Sequence, residues 1–469
     1  MQSDLAIERE AIIWQESTTG LCSICLRPVE ARIEQLGNDI FLKSTCPTHG
    51  EQTALLSRDA DEYHRIRQYT PERVGGCCCG PEGCDTKPPV CVLLLEITQA
   101  CNLRCPTCYA DAKGHDFMSV DEAKGRLEKF FVFQPALDLL MISGGEPTIH
   151  PNFPEILEMC LKYPIGRILI NTNGLRIAQN DTALNAIAAH RERVEIYLSF
   201  GSFRPEVHER LYGRDLVNDK TLAIERAGRA GVFVTLVPTV ERGVNEDEIG
   251  ELYRFALKHK NINGITFQPV MTAGRYENDH VPEDRLTMTD VLRLLQEQTS
   301  GQLVTTDFVG LPCSHPDCCS LTYGFLNKER TKLTPLPRHL DVARYMDLFS
   351  DRISFAGIVG GAIRRVWSDT IHFRGGQAIK DLSILFARSG MREALPWLRD
   401  PMLFGERVFR IVVKPFMDAH TYDHKRIDQC CTMILNEDGE AISFCEYNIL
   451  HRSKPKFKSS IPLAIAGRS

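Results

Sequence analysis

Eighteen of the 469 residues are cysteine, and sixteen of these fall into five tight groups. The groups are Cys22/Cys25/Cys46, Cys77/Cys78/Cys79/Cys84, Cys101/Cys105/Cys108, Cys313/Cys318/Cys319 and Cys430/Cys431/Cys445. Such a count calls for disulfides or metals. The start, Met1-Gln2-Ser3-Asp4-Leu5, is polar and lacks the basic and apolar regions of an export signal. A chain of this length also has core enough to fold without staples. Clustered, reduced thiols then read as metal ligands. Cys91 and Cys160 stand alone in apolar segments and read as core residues, because a free cysteine packs as a small hydrophobe.

Composition narrows the partners. The formal net charge is -6, so nothing global draws the chain to nucleic acid or to an anionic membrane. The longest apolar run, Val90 to Leu95, stops at Glu96, far short of the roughly 18 residues a spanning helix needs. The expectation is a cytoplasmic protein with at most peripheral membrane contact.

Along the chain, residues 1–60 hold two alternating segments, Val29 to Ile33 and Ile40 to Lys43, between cysteine pairs. A helical connector (Asp59 to Tyr69) and a Gly/Cys/Pro-rich stretch (Gly75 to Pro89) make residues 61–90 a linker with a cysteine-rich loop. From Val90 to about Gly301, strands and helices alternate. The strands are expected at Cys91–Thr98, Leu139–Ser143, Arg167–Asn171, Val194–Phe200, Val232–Pro238 and Gly264–Val270. Helices are expected at Val120–Phe130, Phe153–Leu161, Asp181–His190, Lys220–Ala230 and Glu246–His259. Near-continuous apolar strands between amphipathic helices imply a parallel α/β sheet. Six such units make an open sheet or a partial barrel, and chemistry-bearing motifs at the C-terminal strand ends favour the barrel. Residues 301–469, with helices expected at Leu340–Phe349 and Asp381–Phe386 and a strand at Val408–Lys414, read as a separate C-terminal domain or a cap.

Just after the first barrel strand stands Cys101-Asn-Leu-Arg-Cys105-Pro-Thr-Cys108. Three thiolates on a short loop can hold three irons of a 4Fe–4S cube and leave the fourth iron open. An open position is what a catalytic metal site requires. After the second strand comes Ser143-Gly144-Gly145-Glu146-Pro147, whose glycines allow close backbone approach. This pair of motifs resembles the radical S-adenosylmethionine (SAM) superfamily. The resemblance implies a partial (β/α)6 TIM-like barrel and SAM chelating the open iron through its amino and carboxylate groups. It also implies SAM contacts at Gly144, Gly145, Glu146 and Pro147, and near Asn171 and Asn173 after the third strand. Ser199 and Gln268, at the ends of strands four and six, point to the same face. The residue before the third cysteine is often aromatic in this superfamily; here it is Thr107, with Tyr109 just after, so either could cover the adenine. The implied chemistry is reductive cleavage of SAM to a 5′-deoxyadenosyl radical that takes hydrogen from an unactivated carbon. The protein then has to position the reactants and exclude water. A reductant such as flavodoxin or ferredoxin would supply the electron.

The remaining groups read as further metal sites. Cys22, Cys25, Cys46 and His49 form C-x2-C…C-x2-H, a tetrahedral site for zinc or a rubredoxin-like iron. Cys77, Cys78, Cys79 and Cys84 are four thiols in eight residues. Cys313, Cys318, Cys430 and Cys445 could together hold another auxiliary 4Fe–4S cluster, with Cys319 and Cys431 as neighbours able to substitute. One or two auxiliary clusters are thus expected.

A narrower resemblance follows from Cys101 to Ala110, Tyr197-Leu-Ser-Phe-Gly201, Glu206-Val-His208, Pro312 to Cys318 and Phe444-Cys445-Glu446-Tyr447-Asn448. In this order they look like the archaeal tetraether lipid synthases and their relatives, once grouped with radical SAM pterin methyltransferases. The Cys77–Cys84 loop and the Cys430-Cys431-Thr-Met segment depart from that pattern. The resemblance implies joining or modifying unactivated carbons of a lipid chain, and coupling two such carbons would consume two SAM per product. Radical methylation of a pterin-like molecule is the first alternative and a non-enzymatic iron–sulfur electron carrier the second. A long apolar cavity at the barrel mouth would favour lipid; a small polar, aromatic one would favour a pterin.

Overall fold

The computed structural model describes residues 12–68, 90–276, 282–311, 313–339 and 407–452. Cys77, Cys78, Cys79 and Cys84 lie outside the described residues, as do the helices expected at 340–349 and 381–386. The chain opens with a four-stranded antiparallel sheet of β1 (Ile12–Leu21), β2 (Pro28–Leu36), β3 (Asp39–Cys46) and β4 (Gly50–Ser57), in sequential order. Along β2, Val29, Ala31 and Ile33 are buried while Glu30 and Arg32 face out, the period of two that a half-buried strand requires. The short helix α1 (Ala60–Arg67) follows, capped by Asp59, whose side chain accepts from the Glu62 N–H.

The second sheet carries the alternating pattern. Its elements begin with β5 (Val92–Thr98), α2 (Val120–Phe133), β6 (Leu137–Gly144), α3 (Phe153–Cys160) and β7 (Ile165–Thr172). Next come α4 (Leu175–Gln179), α5 (Asp181–Ala188), β8 (Val194–Ser199), α6 (Pro205–Tyr212) and α7 (Val217–Arg229). They are followed by β9 (Val234–Val237), β10 (Thr239–Val240), α8 (Ile249–Lys258), β11 (Ile262–Pro269) and α9 (Met288–Gln298). Every residue of β5 is buried, as a strand covered on both faces demands. Strands β5, β6, β7, β8, β9 and β11 pair in parallel in that order. All six expected strands and all five expected helices are present, within a few residues of their predicted ends. The helices α4, α6 and α9 were not expected; α4 and α6 are short, and Pro205 and Gly213 bracket α6. The arrangement is the α/β partial barrel expected from the sequence, preceded by a small four-stranded ribbon.

The sheet does not stop where a separate C-terminal domain would begin. The last strands are β12 (Val309–Gly310), β13 (Ser320–Leu326), β14 (Leu333–Pro335), β15 (Val408–Val413), β16 (Thr432–Leu435) and β17 (Ala441–Ser443). Strand β15 joins the parallel row beside β11, and β16 joins it in parallel beside β5. Both open edges of the barrel are therefore covered by strands from beyond residue 400. Buried backbone N–H and C=O groups at a sheet edge need partners, and a composition change near Gly301 does not reveal which segment supplies them.

Asp418 pins the stretch after β15 to the barrel. Its carboxylate takes both guanidinium nitrogens of Arg285, at 2.7 and 3.2 Å, and the Thr272 N–H. Burial opposes its ionisation, but Arg285 and these N–H groups outweigh that and hold its pKa at about 2. The folded value lies below the ordinary 3.8, so its stabilisation is fully present above pH 3.8 and is lost as pH falls through about 2. Asp418→Asn should remove about 2 kcal/mol at pH 7 and flatten the acid limb of a denaturation curve between pH 4 and 2, roughly what such a shift is worth. An unchanged acid limb would contradict this.

Candidate active site

The cysteine triplet lies on the loop that leaves β5, and the end of β6 locks that loop in place. Gly145 N donates to Thr98 O at 2.8 Å and Glu146 N to Ala100 O at 2.9 Å. Only glycine permits this approach. A Cβ on Gly144, whose φ is +129°, would stand 2.3 Å from Thr98 O, and one on Gly145 would stand 2.1 Å from Ala100 O. On the other side, Thr107 Oγ1 donates to Leu211 O at 2.9 Å and ties the loop to the end of α6. Cys101 and Cys105 pack against the apolar cluster of Leu103, Leu175, Val207, Leu211 and Tyr212. Burial pushes the Cys101 thiol up to about 12 and Cys105 up to about 11. These sulfurs become thiolates only with a positive centre to bind, which suits them to an iron cluster.

All three cysteines line a cavity of about 370 Å³, together with Thr107, Tyr109, Gly144, Gly145, Asn171, Asn173, Ser199 and Gln268. Glu146 and Pro147 do not line it. Glu146 is instead buried beneath the site, where its carboxylate accepts from Thr148 N, Thr148 Oγ1, Thr172 Oγ1 and Asn173 N. It fastens the end of β6 to the end of β7, a different role from the cofactor contact expected of it. Pro147 starts the turn Pro147–Ile149. Asn173 reaches back to Asn102 of the cysteine loop at 2.7 Å, and Asn171 donates to Ser143 Oγ at 3.0 Å. Tyr109 meets Phe444 edge-on with ring centroids 5.3 Å apart.

Several residues of the site carry no local sequence signal. Lys220 of α7 is fully buried; its Nζ donates to Ser199 Oγ at 2.8 Å and stands 3.9 Å above the Tyr212 ring. Burial pulls its pKa down to about 7 against the attraction of Cys105 and Glu146. On the barrel floor, Glu195 is shared between Arg410, which also donates to Thr235 Oγ1, and Arg167 at 3.5 Å. Burial raises its carboxyl, but the two arginines outweigh this and lower its pKa. Tyr197, whose Oη accepts from Gln268 Nε2 at 3.2 Å, lines the middle of the cavity. Lys414, just past β15, lines the wall and donates to Thr432 Oγ1 at 3.0 Å, so the two added edge strands are joined across the barrel opening. The 3.6-residue period could point to α7, but nothing in it marks position 220.

The remaining cysteine groups among the described residues fall in the ribbon and around the C-terminal strands. In the ribbon, ligand atoms of Cys22, Cys25, Cys46 and His49 all lie within 4.8 Å of one another, with His49 Nδ1 at 3.4 Å from Cys22 Sγ and 3.5 Å from Cys46 Sγ. That set fits one tetrahedral ion. Stripping this metal with a strong chelator should make residues 14–58 susceptible to limited proteolysis while residues 90–276 stay resistant; equal resistance of both would count against it. The C-terminal cysteines are grouped differently from the expected Cys313/Cys318/Cys430/Cys445 set. Burial pushes the Cys430 and Cys445 thiols up, with Cys318 adding to both shifts, and Arg426 Nε donates to Cys318 Sγ at 3.3 Å. Cys313 instead packs on Cys431 and on Cys91, which is therefore not a solitary core residue. Strand pairing decides this: β16 lies beside β5, so the residue before each strand meets the other.

Comparison with known proteins agrees with this geometry. Residues 95–256 match the family model of the radical SAM superfamily, and residues 14–58 match that of the HMPTM N-terminal zinc ribbon domain. The chain is a radical SAM enzyme, a class that implies a 4Fe–4S cluster and SAM. It is 28% identical, over 96% of its own length and 96% of the other's, to a 7,8-dihydro-6-hydroxymethylpterin dimethyltransferase of Methanocaldococcus jannaschii. It is 30% identical to a probable GTP 3′,8-cyclase of Thermococcus kodakarensis, over 36% of this chain and only about half (54%) of that protein. Among solved structures, SuiB of Streptococcus suis bound to S-adenosylmethionine aligns with a TM-score of 0.38 at 18% identity, over 46% of this chain and 48% of that one. No helix among the described residues is long and apolar enough to cross a membrane.

Proposed function

We propose that this chain methylates a pterin-like heteroaromatic substrate by radical SAM chemistry, with Cys101, Cys105 and Cys108 holding the cluster. The observation that carries this reading is the end-to-end similarity to the pterin dimethyltransferase, which includes the ribbon and the C-terminal strands as well as the barrel. The cavity supports it. At about 370 Å³ it is at the small end of ligand sites; most of its lining is apolar, and Tyr197, Tyr323, Asn263, Gln268 and Lys414 add the hydrogen-bonding and aromatic groups that a flat, polar ring system needs.

When bound, the cluster and SAM would supply a 5′-deoxyadenosyl radical able to take hydrogen from carbon. The chain's own residues do the positioning. Gly144 and Gly145 leave backbone at the cavity edge where no side chain intrudes, and Asn171 and Asn173 present polar side chains beside it. Arg167 and Arg410, both paired with the buried Glu195, line the cavity together with Lys414 and Thr432. Keeping water from the site protects a carbon radical from side reactions. The test is to incubate reduced enzyme with SAM and either 6-hydroxymethyl-7,8-dihydropterin or phospholipid vesicles, following deoxyadenosine and product mass. A methylated pterin supports the reading. Turnover of lipid with about two deoxyadenosines per new C–C bond, and none of pterin, would replace it with the lipid reading.

A further inference from the structure

Beyond the catalytic triplet and the ribbon, three thiols from distant parts of the chain meet behind the cavity wall. Cys91 precedes β5, Cys313 follows β12, and Cys431 precedes β16. Their sulfurs all lie within 4.8 Å of one another, with Cys313 and Cys431 at 3.6 Å, and none of the three is more than 7% exposed. We propose that Cys91, Cys313 and Cys431 bind a single thiophilic metal ion, a site separate from the catalytic cluster and from the ribbon. This inference does not depend on the pterin reading.

Two observations carry it. The first is spacing. Metal–sulfur bonds of about 2.3 Å in a tetrahedron place sulfurs about 3.8 Å apart, close to the Cys313–Cys431 separation. A cubane with each thiolate on a different corner iron holds its sulfurs further apart than one shared ion does. The second is charge. Lys414 is a cavity-wall cation whose Nζ donates to Thr432 Oγ1, next to Cys431. Of the sulfurs that favour its charge, Cys431 belongs to the trio, while Cys319, Cys430 and Cys318 lie outside it. An ammonium beside these sulfurs is better accommodated when they carry negative charge than when they are neutral thiols. Three thiolates on a divalent ion carry one net negative charge, which the ammonium offsets. The ion would also staple the two edge strands' neighbourhood: Cys91 N and Val92 N both donate to Cys431 O at 3.0 Å, so the metal would add a second tie at the seam between β5 and β16.

The test is elemental analysis with acid-labile sulfide on the full chain purified without oxygen. The unaltered protein should carry two ions not accounted for by sulfide-bearing iron, one in the ribbon and one here; finding only one overturns the proposal whatever the variants do. Cys91→Ala and Cys431→Ala should each lose one ion per chain without loss of sulfide, and the double variant should lose no more than either. Cys22→Ala/Cys25→Ala should lose the other ion. If folded Cys91→Ala, with an unchanged circular dichroism spectrum, keeps every ion, the site does not exist. If it loses iron and sulfide together, Cys91 serves a cluster and the single-ion assignment fails.

Discussion

Replacing Cys101, Cys105 and Cys108 together by alanine abolishes 5′-deoxyadenosine formation and removes one cluster's iron, while the ribbon ion and the iron of any auxiliary site remain. The loss should be complete within detection, because without the thiolates there is no site for the electron donor and no open iron for SAM. The loop itself should survive, since its hold on the barrel comes from Gly145 N, Glu146 N and Thr107 Oγ1, none of which is altered. Iron and sulfide analysis alongside chromatographic measurement of deoxyadenosine decides the matter. SAM cleavage that persists in the triple variant would show that the chemistry resides elsewhere.

Glu146→Ala should be the most damaging single change near the site that touches no metal. Four donors converge on this carboxylate, and all would be left buried without an acceptor. Losing a buried acceptor of this kind costs about 3 kcal/mol or more, a large share of a domain's net stability. The variant should unfold at a markedly lower temperature and, where still folded, bind SAM poorly, because Asn173 would no longer be fixed beside the cysteine loop. Glu146→Gln keeps one acceptor oxygen and the shape, so it should fall between the two. Calorimetry checks the order. An alanine variant that melts with the native protein would show that the carboxylate is not the fastener between β6 and β7.

These two sites show different degrees of legibility. The triplet is local: three cysteines within eight residues, after an apolar strand, announce a cluster loop without any knowledge of what surrounds it. The Gly144-Gly145 pair is equally local, because close backbone approach has no substitute for glycine. Glu146 is contiguous with them, yet its role as a fastener could not be read, since its partners Thr172 and Asn173 become neighbours only when β6 and β7 pair. Lys220 and Lys414 are further from view. Neither sits in a motif, and each matters because folding carries a cation to a sulfur group.

The sequence by itself determined the alternation of six strands and their helices, the Cys22/Cys25/Cys46/His49 set of the ribbon and the loop that carries Cys101, Cys105 and Cys108. Each of these depends on periodicity or on spacing within a short segment, where the covalent chain already brings the groups together. The tertiary structure decided that β15 and β16 cover both open edges of the barrel and that Cys91 meets Cys313 and Cys431. The physical reason is the same in each case: an exposed strand edge is satisfied by backbone hydrogen bonds that any side chain permits, so the sequence carries little mark of which strand will take it. Once β16 lies against β5, the positions of Cys91 and Cys431 follow from register.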